Sequence, residues 1–210
     1  LPLPDLYHAP NEFIHLRDKS NPSHSALGKV DLQAERVVPI KRLKDGVWGV
    51  RPRNKEQSFA IDLLMDDSIK LVTLVGKAGT GKTLLAIAAG MHKATEEGVY
   101  QRVLVSRPSF PLGRDLGYLP GTVEEKLSPW MQPIFDNVEF LMGLSNSDKK
   151  GGRSYRELID LGILQIEPLT YIRGRSIPQQ YMVVDAAQNL TPHEVQTIVS
   201  RAGEGAKLVL

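Results

Sequence analysis

Cysteine is absent from the 210 residues of this chain. Its absence excludes disulfide bonds, thiolate zinc sites and thiol nucleophiles, and it suits a reducing cytoplasm, which we predict as the location. Long apolar runs are absent too, since no stretch approaches the roughly 18 residues that a membrane span needs. We therefore expect no membrane segment. The five histidines show no H-x-x-x-H pairing, so we predict no structural metal centre.

An excess of one charge is also lacking, because 26 basic and 24 acidic residues leave a formal charge of +2. The sequence pI near 8.8 is only mildly basic, and it lies below the range in which charge alone indicates nucleic-acid binding. Any nucleic-acid function must therefore be argued from motifs. No basic and apolar leader opens the chain, so we do not expect secretion.

Two regions differ in their pattern along the chain. Residues 1–53 are rich in proline, aspartate, asparagine and lysine, and they predict an extended N-terminal arm or linker with at most a short β hairpin. Residues 54–210 alternate short apolar runs with helical periodicity. Strands that alternate with helices pair in parallel through right-handed crossovers. We therefore predict an α/β domain with a doubly wound, mostly parallel sheet.

The individual elements of this domain follow from local patterns. We expect strands at residues 71–75, 102–106, 164–167, 181–185 and 207–210, and helical stretches around residues 124–126 and 135–144. Another helix should begin after Thr191, because Pro192 fits the first helical position and Glu194 completes a capping box.

A glycine-rich loop follows the first predicted strand and opens a helix, the setting in which the pattern G-x-x-x-x-G-K-[ST] binds phosphate. Its residues are Gly76, Lys77, Ala78, Gly79, Thr80, Gly81, Lys82 and Thr83, and Leu84 continues the nucleotide-binding set into the helix. The glycines let backbone N–H groups converge on phosphate oxygens, and the helix directs its positive dipole end at the same anion. Lys82 supplies a positive charge for the β- and γ-phosphates, and the Thr83 hydroxyl can ligate Mg²⁺. The motif predicts a RecA-like P-loop domain that binds ATP and Mg²⁺; the alternative is a connecting loop that binds nothing.

Asp185 directly follows the mostly apolar run 181–184. A P-loop uses a carboxylate on a neighbouring strand to hold Mg²⁺, so Asp185 is predicted as a metal ligand, although it would also serve simply to end a strand. Hydrolysis further needs a group that orients the attacking water and accepts its proton, commonly a carboxylate beside this aspartate. Ala186 occupies that place and cannot accept a proton. We therefore expect ATP binding with slow hydrolysis, as in an engineered trap or an inactive relative.

Four further stretches carry a resemblance to a known family: residues 52–57, residues 106–108 leading into 112–121, residues 169–176, and residues 185–189. In them the chain resembles the phosphate-starvation-inducible PhoH-like ATPases, which are similar to the first core domain of superfamily I helicases. At the fourth stretch the family reads Asp-Glu-Ala-Gln-Asn, so Ala186 stands where glutamate is expected. The family also continues with a Thr-Gly-Asp segment that senses the γ-phosphate, and this chain ends before it.

The resemblance and the side-chain chemistry together predict further nucleotide contacts. Gln57 lies where helicase-like ATPases use a glutamine amide to read the adenine edge, although it would also be an ordinary solvated helix residue. Gln188 belongs to the helicase-like Gln-Asn pair after Asp185. Arg173 or Arg175 is a candidate to stabilise charge on the γ-phosphate, within a subunit or across the interface of a homo-oligomeric ring such as a hexamer.

Nucleic acid is the partner that a helicase-like core implies. Arg107 and Arg114 are candidates for contacts to the backbone of RNA or another single strand, and Tyr118 offers a ring for base stacking, although it would equally suit a core. Longer members of the family resemble fusions with an N-terminal PIN ribonuclease domain. The isolated Asp5, Asp18 and Asp31 are too few for such a nuclease, so we predict none in this chain.

Three functions remain open from the sequence. The leading hypothesis is a PhoH-like ATPase that couples ATP binding and hydrolysis to action on RNA. The second is a nucleotide-dependent switch or oligomeric scaffold with little hydrolysis, which Ala186 favours. The third is a small-molecule kinase. The helicase-like Gln57 and the pair Gln188 and Asn189 disfavour it, because such a kinase needs an acceptor pocket that the sequence does not reveal.

Overall fold

A computed structural model describes residues 8–41, 43–108, 123–145, 154–172 and 176–210 of the chain. Its strands are β1 Phe13–Arg17, β2 Ser25–Asp31, β3 Arg36–Pro39, β4 Leu71–Val72, β5 Arg102–Arg107, β6 Leu164–Pro168, β7 Gln180–Val184 and β8 Lys207–Val209. Its helices are α1 Lys55–Met65, α2 Lys82–Thr95, α3 Val123–Ser145, α4 Tyr155–Asp160 and α5 Pro192–Arg201. Across these described ranges, no helix is long and apolar enough to cross a membrane.

Five of the strands form one parallel sheet in the order β4-β8-β7-β5-β6. Successive side chains of a strand point to opposite faces, and both faces of this sheet are apolar. Val103 and Val105 pack among α1 to α4 on one face, whereas Leu104 packs with Ile198 of α5 on the other. Burial on both faces is what a parallel sheet with crossover helices requires. The predicted α/β, doubly wound, RecA-like fold is confirmed.

Several element bounds differ from those that the sequence predicts. β4 covers Leu71 and Val72 rather than residues 71–75, although the Leu74 N–H still donates to the Leu210 carbonyl at 2.8 Å as the chain approaches the glycine loop. The two helical stretches expected around residues 124–126 and 135–144 are one helix, α3, which contains Pro129 and Pro133. The start of α5 agrees with its prediction, since Thr191 and Glu194 form the reciprocal capping box.

The N-terminal region has one strand more than the short hairpin expected there. β1, β2 and β3 form an antiparallel sheet, and this sheet packs on α1. The rings of Phe13 and Phe59 stack with centroids 4.5 Å apart, and Lys29 Nζ lies 2.9 Å from Asp62 Oδ2 and 3.1 Å from Asp66 Oδ2. The strands were missed because their apolar fragments are short and interrupted by polar turns. The division of the chain after residue 53 stays a prediction.

α2 lies against β7 at a position where only glycine fits. A Cβ added to Gly90 would lie 2.6 Å from Cδ1 of the buried Tyr181 ring, a distance that carbon atoms do not tolerate. Glycine therefore lets the helix approach the sheet closely. The approach fixes the start of α2, which carries the end of the phosphate loop, relative to the end of β7.

A buried lysine lies at the amino end of β8. Lys207 is fully buried, and its Nζ donates to the backbone oxygens of Leu63 and Asp66, each at 2.7 Å. These oxygens belong to the last turn of α1 and the residue after it, and they also accept the backbone N–H groups of Asp66 and Ile69 at 3.4 and 3.2 Å. Burial lowers the pKa of Lys207 from 10.5 to about 8. The ammonium thus caps α1 at the cost of its own desolvation.

Candidate nucleotide-binding site

The phosphate loop joins β4 to α2, and its glycines adopt backbone conformations that other residues avoid. Gly79 and Gly81 have φ angles of +76° and +85°, in the left-handed region. A Cβ added to Gly79 would meet no heavy atom within 4 Å. The whole stretch from Val75 to Thr80 is exposed. The loop is therefore open to a ligand at Gly79.

Lys82 begins α2 and turns its side chain back over the loop. Its Nζ donates to the carbonyl oxygens of Gly76 at 2.7 Å and Lys77 at 2.8 Å, and the Thr80 hydroxyl donates to the same Lys77 oxygen at 2.8 Å. An ammonium has three donors, so one remains for a ligand. No carboxylate pairs with Lys82 within the part of the chain that the structure describes. The Lys82 ammonium therefore carries a positive charge that no described carboxylate neutralises.

Thr83 and Asp185 meet although they are far apart in sequence. The Thr83 hydroxyl donates to Asp185 Oδ1 at 2.6 Å, and the Asp185 N–H donates to the Ser106 carbonyl at 2.8 Å, which fixes the residue beside the end of β5. Hydroxyl and carboxylate oxygens are the ligands that Mg²⁺ prefers in proteins. The pair therefore fits the predicted metal ion. It lies at the carboxyl edge of the sheet, and Thr83 directly follows Lys82 in the chain.

Arg107 also contacts Asp185, which the sequence reasoning missed. Its Nε lies 3.6 Å from Asp185 Oδ2, its guanidinium carbon lies 4.8 Å from the centroid of the Trp130 ring, and one terminal nitrogen donates to the Trp130 carbonyl at 3.1 Å. The Trp130 indole in turn donates to the Pro108 carbonyl at 2.9 Å. Arg107 thus lies inside the nucleotide site. The sequence did contain a signal for this contact, because Arg107 and Asp185 each come at the end of a mostly apolar run that is predicted as a strand of the sheet.

Ala186 follows the aspartate with a left-handed backbone, φ 58° and ψ 38°. A short 3-10 turn, Ala187–Asn189, comes next, and the side chain of Gln188 in it is exposed. The methyl group of Ala186 is partly buried beside Asp185 and offers neither a lone pair nor a proton. A general base is therefore missing from the position where the resemblance expects one.

Gln57 lies in the first turn of α1 and contacts the phosphate loop. Its Nε2 donates to the Thr80 carbonyl at 3.1 Å, and its Oε1 accepts from the Arg53 N–H at 2.8 Å. A cleft of about 400 Å³ opens beside it, and Asn54, Ala60, Gly76 and Lys82 are among its lining residues. The amide keeps one donor and one lone pair for a ligand in this cleft.

A comparison with known families decides what kind of chain this is. A family model described as PhoH-like protein matches residues 49–210. The chain belongs to the PhoH-like family. It is 51% identical over 204 residues to Protein PhoH2 of Bacillus subtilis, an alignment that covers 96% of this chain and 45% of that protein.

Two further relatives give the same assignment. Protein PhoH2 of Mycolicibacterium smegmatis is 42% identical over 186 residues, 88% of this chain and 40% of its own length. The PhoH-like protein of Bacillus subtilis is 35% identical over 140 residues, 67% and 41% of the two chains. The chain therefore spans less than half the length of these relatives.

The PhoH-like family is a family of P-loop ATPases. In this member the structure brings together Gln57, the phosphate loop, Lys82, Thr83 and Asp185, and it leaves Leu84 half-buried in the first turn of α2. The candidates Arg114, Tyr118, Arg173 and Arg175 lie outside the described residues. Their roles stay predictions, as does the RNA contact proposed for Arg107.

Proposed function

We propose that this PhoH-like chain binds ATP together with Mg²⁺ at residues 76–83 and Asp185. The observation that carries the proposal is the 2.6 Å contact between the Thr83 hydroxyl and the Asp185 carboxylate, next to an ammonium with no carboxylate partner among the described residues. An anion and a divalent cation that bind side by side satisfy both groups. A nucleoside triphosphate with its metal ion has this arrangement of charges.

Each part of the site has one task in this proposal. The N–H groups of the loop and the start of α2 bind the phosphates, Lys82 places its remaining donor on their oxygens, and Thr83 with Asp185 holds the cation. A cation held by Thr83 and Asp185 would neutralise the charge that develops as the bond between the γ-phosphorus and the β,γ-bridging oxygen breaks. Gln57, at the mouth of the cleft, presents its amide to the base. These residues orient the triphosphate but move no proton.

Hydrolysis by this copy is proposed to be slow, because Ala186 cannot take a proton from the attacking water. Ala186→Glu should raise the single-turnover ATPase rate by about a hundred- to ten-thousand-fold, the usual effect of a placed general base. Ala186→Gln is the matched control, since its side chain has the same size and cannot act as the base. Turnover within seconds by the unchanged chain, or equal rates for the two variants, would contradict the proposal.

The proposed output of the ATPase is work on RNA, supported by the helicase-like stretches around Arg107 and Arg114. In the Ala186→Glu background, single-stranded RNA should stimulate ATP hydrolysis. Arg114→Ala and Tyr118→Ala should weaken the stimulation and leave the rate without RNA unchanged. Absence of stimulation by any single strand, with ATP hydrolysis intact, would remove RNA from the proposal.

A second candidate is a nucleotide-dependent switch or ring-shaped scaffold, and Ala186 is the observation that favours it. Here binding of ATP and Mg²⁺, rather than hydrolysis, changes the assembly, with Arg173 or Arg175 reaching the nucleotide across an interface. Light scattering with Mg²⁺ and either ATP or ADP would select this function if the mass changes with nucleotide while RNA does not bind. The PIN ribonuclease domain of longer relatives and the cytoplasmic location remain part of the proposal.

A further inference from the structure

Arg107 contacts two side chains that are far apart in the sequence, those of Asp185 and Trp130. Its Nε lies 3.6 Å from Asp185 Oδ2, and its guanidinium lies over the Trp130 ring of α3 at 4.8 Å from the centroid. The Nε atom is buried and has no hydrogen-bond acceptor among the described residues. The charge of Asp185 is thus the nearest compensation that this nitrogen has.

The Asp185 carboxylate cannot serve Arg107 and a divalent cation equally well. Its Oδ1 accepts the Thr83 hydroxyl while its Oδ2 faces Arg107. A cation held by Thr83 and Asp185 would lie within a few ångströms of the guanidinium, and charges of the same sign repel strongly where water is partly excluded. The side chains of Arg107 and Asp185 are only 20% and 16% exposed. Solvent therefore screens this repulsion weakly.

Trp130 links the same arginine to a helix of the core. Its ring and its carbonyl both contact Arg107, and neighbouring residues of α3, Met131 and Ile134, are buried in the main apolar cluster. A change in the position of the guanidinium therefore changes the electrostatic surroundings of an indole that is fixed to α3.

We propose that Arg107 is a positioning residue that holds Asp185 before the metal ion binds and competes with that ion for the carboxylate. Binding of Mg²⁺ with ATP displaces the guanidinium from Asp185 and shifts it on the Trp130 ring, so that occupancy of the metal site is transmitted to α3. The inference rests on the proposed function, since it needs ATP and Mg²⁺ at the phosphate loop.

The first test uses Trp130 as the reporter. The chain has two tryptophans, so Trp48→Phe leaves Trp130 alone. In this parent, Mg²⁺ with ATP should change the tryptophan emission, and ATP with excess EDTA should not. Arg107→Gln should abolish the change. Arg102→Gln, at the other end of the same strand, is the matched control and should keep it.

The second test measures competition. Isothermal titration calorimetry of ATP at increasing Mg²⁺ gives the Mg²⁺ concentration at which binding is half-maximal. Arg107→Gln should lower this concentration about two- to fivefold, the size expected when a partly exposed ion pair no longer competes. A higher Mg²⁺ requirement would show that Arg107 is a ligand of the nucleotide, and it would overturn the competition.

The outcomes separate the inference from the function on which it rests. Calorimetric binding of ATP and Mg²⁺ without any change in Trp130 emission, or with a change that Arg107→Gln retains, overturns the inference and leaves the proposed function standing. Absence of ATP binding in the parent overturns both. Binding together with a change that is lost only in Arg107→Gln supports both.

Discussion

The buried Lys207 gives the stability of the domain a pH dependence of predictable sign. Its pKa is about 8 in the folded chain and about 10.4 in an unfolded one. Between these values the unfolded state binds a proton that the folded state lacks, so the free energy of unfolding rises with pH. Linkage gives a rise of about 2 kcal/mol from pH 7 to pH 9.5. Below pH 8 both states carry the proton and the dependence disappears.

The range must end at pH 9.5 because a buried tyrosine acts in the opposite direction. Burial and the neighbouring Asp67 raise the pKa of Tyr100 far above its usual value, so the domain loses stability once the unfolded tyrosine ionises near pH 10. Lys207→Met removes the titrating group and keeps a side chain of similar length. Urea unfolding at pH 7, 8, 9 and 9.5 should therefore give different slopes against pH for the two proteins.

The control for this measurement is Lys55→Met, because Lys55 is half-exposed and its ion pair among the described residues is with the exposed Glu56. The free energy of unfolding of this control should change with pH in parallel with that of the unchanged chain. If the values for Lys207→Met also ran parallel, the free energies of unfolding of Lys207→Met and the unchanged chain would differ by a constant amount from pH 7 to 9.5. Lys207 would then keep its proton in the folded state, and the assignment of its pKa would be refuted.

Two further predictions concern the phosphate loop and its support. Lys82→Ala should weaken ATP binding roughly ten- to hundredfold, because it removes a charged donor; Lys77→Ala is the calorimetric control, and equal losses would contradict the specific role of Lys82. Gly90→Ala should lower the free energy of unfolding by about 1 to 2 kcal/mol, since overpacking against Tyr181 outweighs the helical gain of alanine. Gly143→Ala in α3, where an added Cβ meets nothing within 4 Å, should instead stabilise by up to about 1 kcal/mol in the same urea titration.

The sequence predicted best the features whose causes are local. The phosphate loop could be found because its glycines, Lys82 and Thr83 have fixed spacings, and the start of α5 because Thr191 and Glu194 are three residues apart. Asp185 was found because it directly follows the mostly apolar run 181–184 and because a P-loop requires a carboxylate on a neighbouring strand. The first two signals lie within a few residues of chain, and the third also needed the P-loop motif itself.

The features that the sequence did not predict depend on which strands are neighbours. Arg107 reaches Asp185 because β5 pairs with β7 in the register Ser106 to Val184, and no local pattern specifies that pairing. Trp130 could be predicted to pack but not to lie under a guanidinium. The third N-terminal strand was missed because its apolar fragment is short and lies between polar residues, and its pairing with β2 exists only in the folded chain.

β4 lies at the edge of the described sheet, and its ladder partner is β8. The strand that leads into the phosphate loop is thus held by residues far along the chain, through bonds such as Leu74 N–H to Leu210 O and Leu210 N–H to Val72 O. During synthesis β8 leaves the ribosome after β4, β5, β6 and β7. The nucleotide pocket therefore has no fixed wall until β8 has been made and has paired with β4, so ATP acts on a sheet that is already assembled and does not guide its early folding.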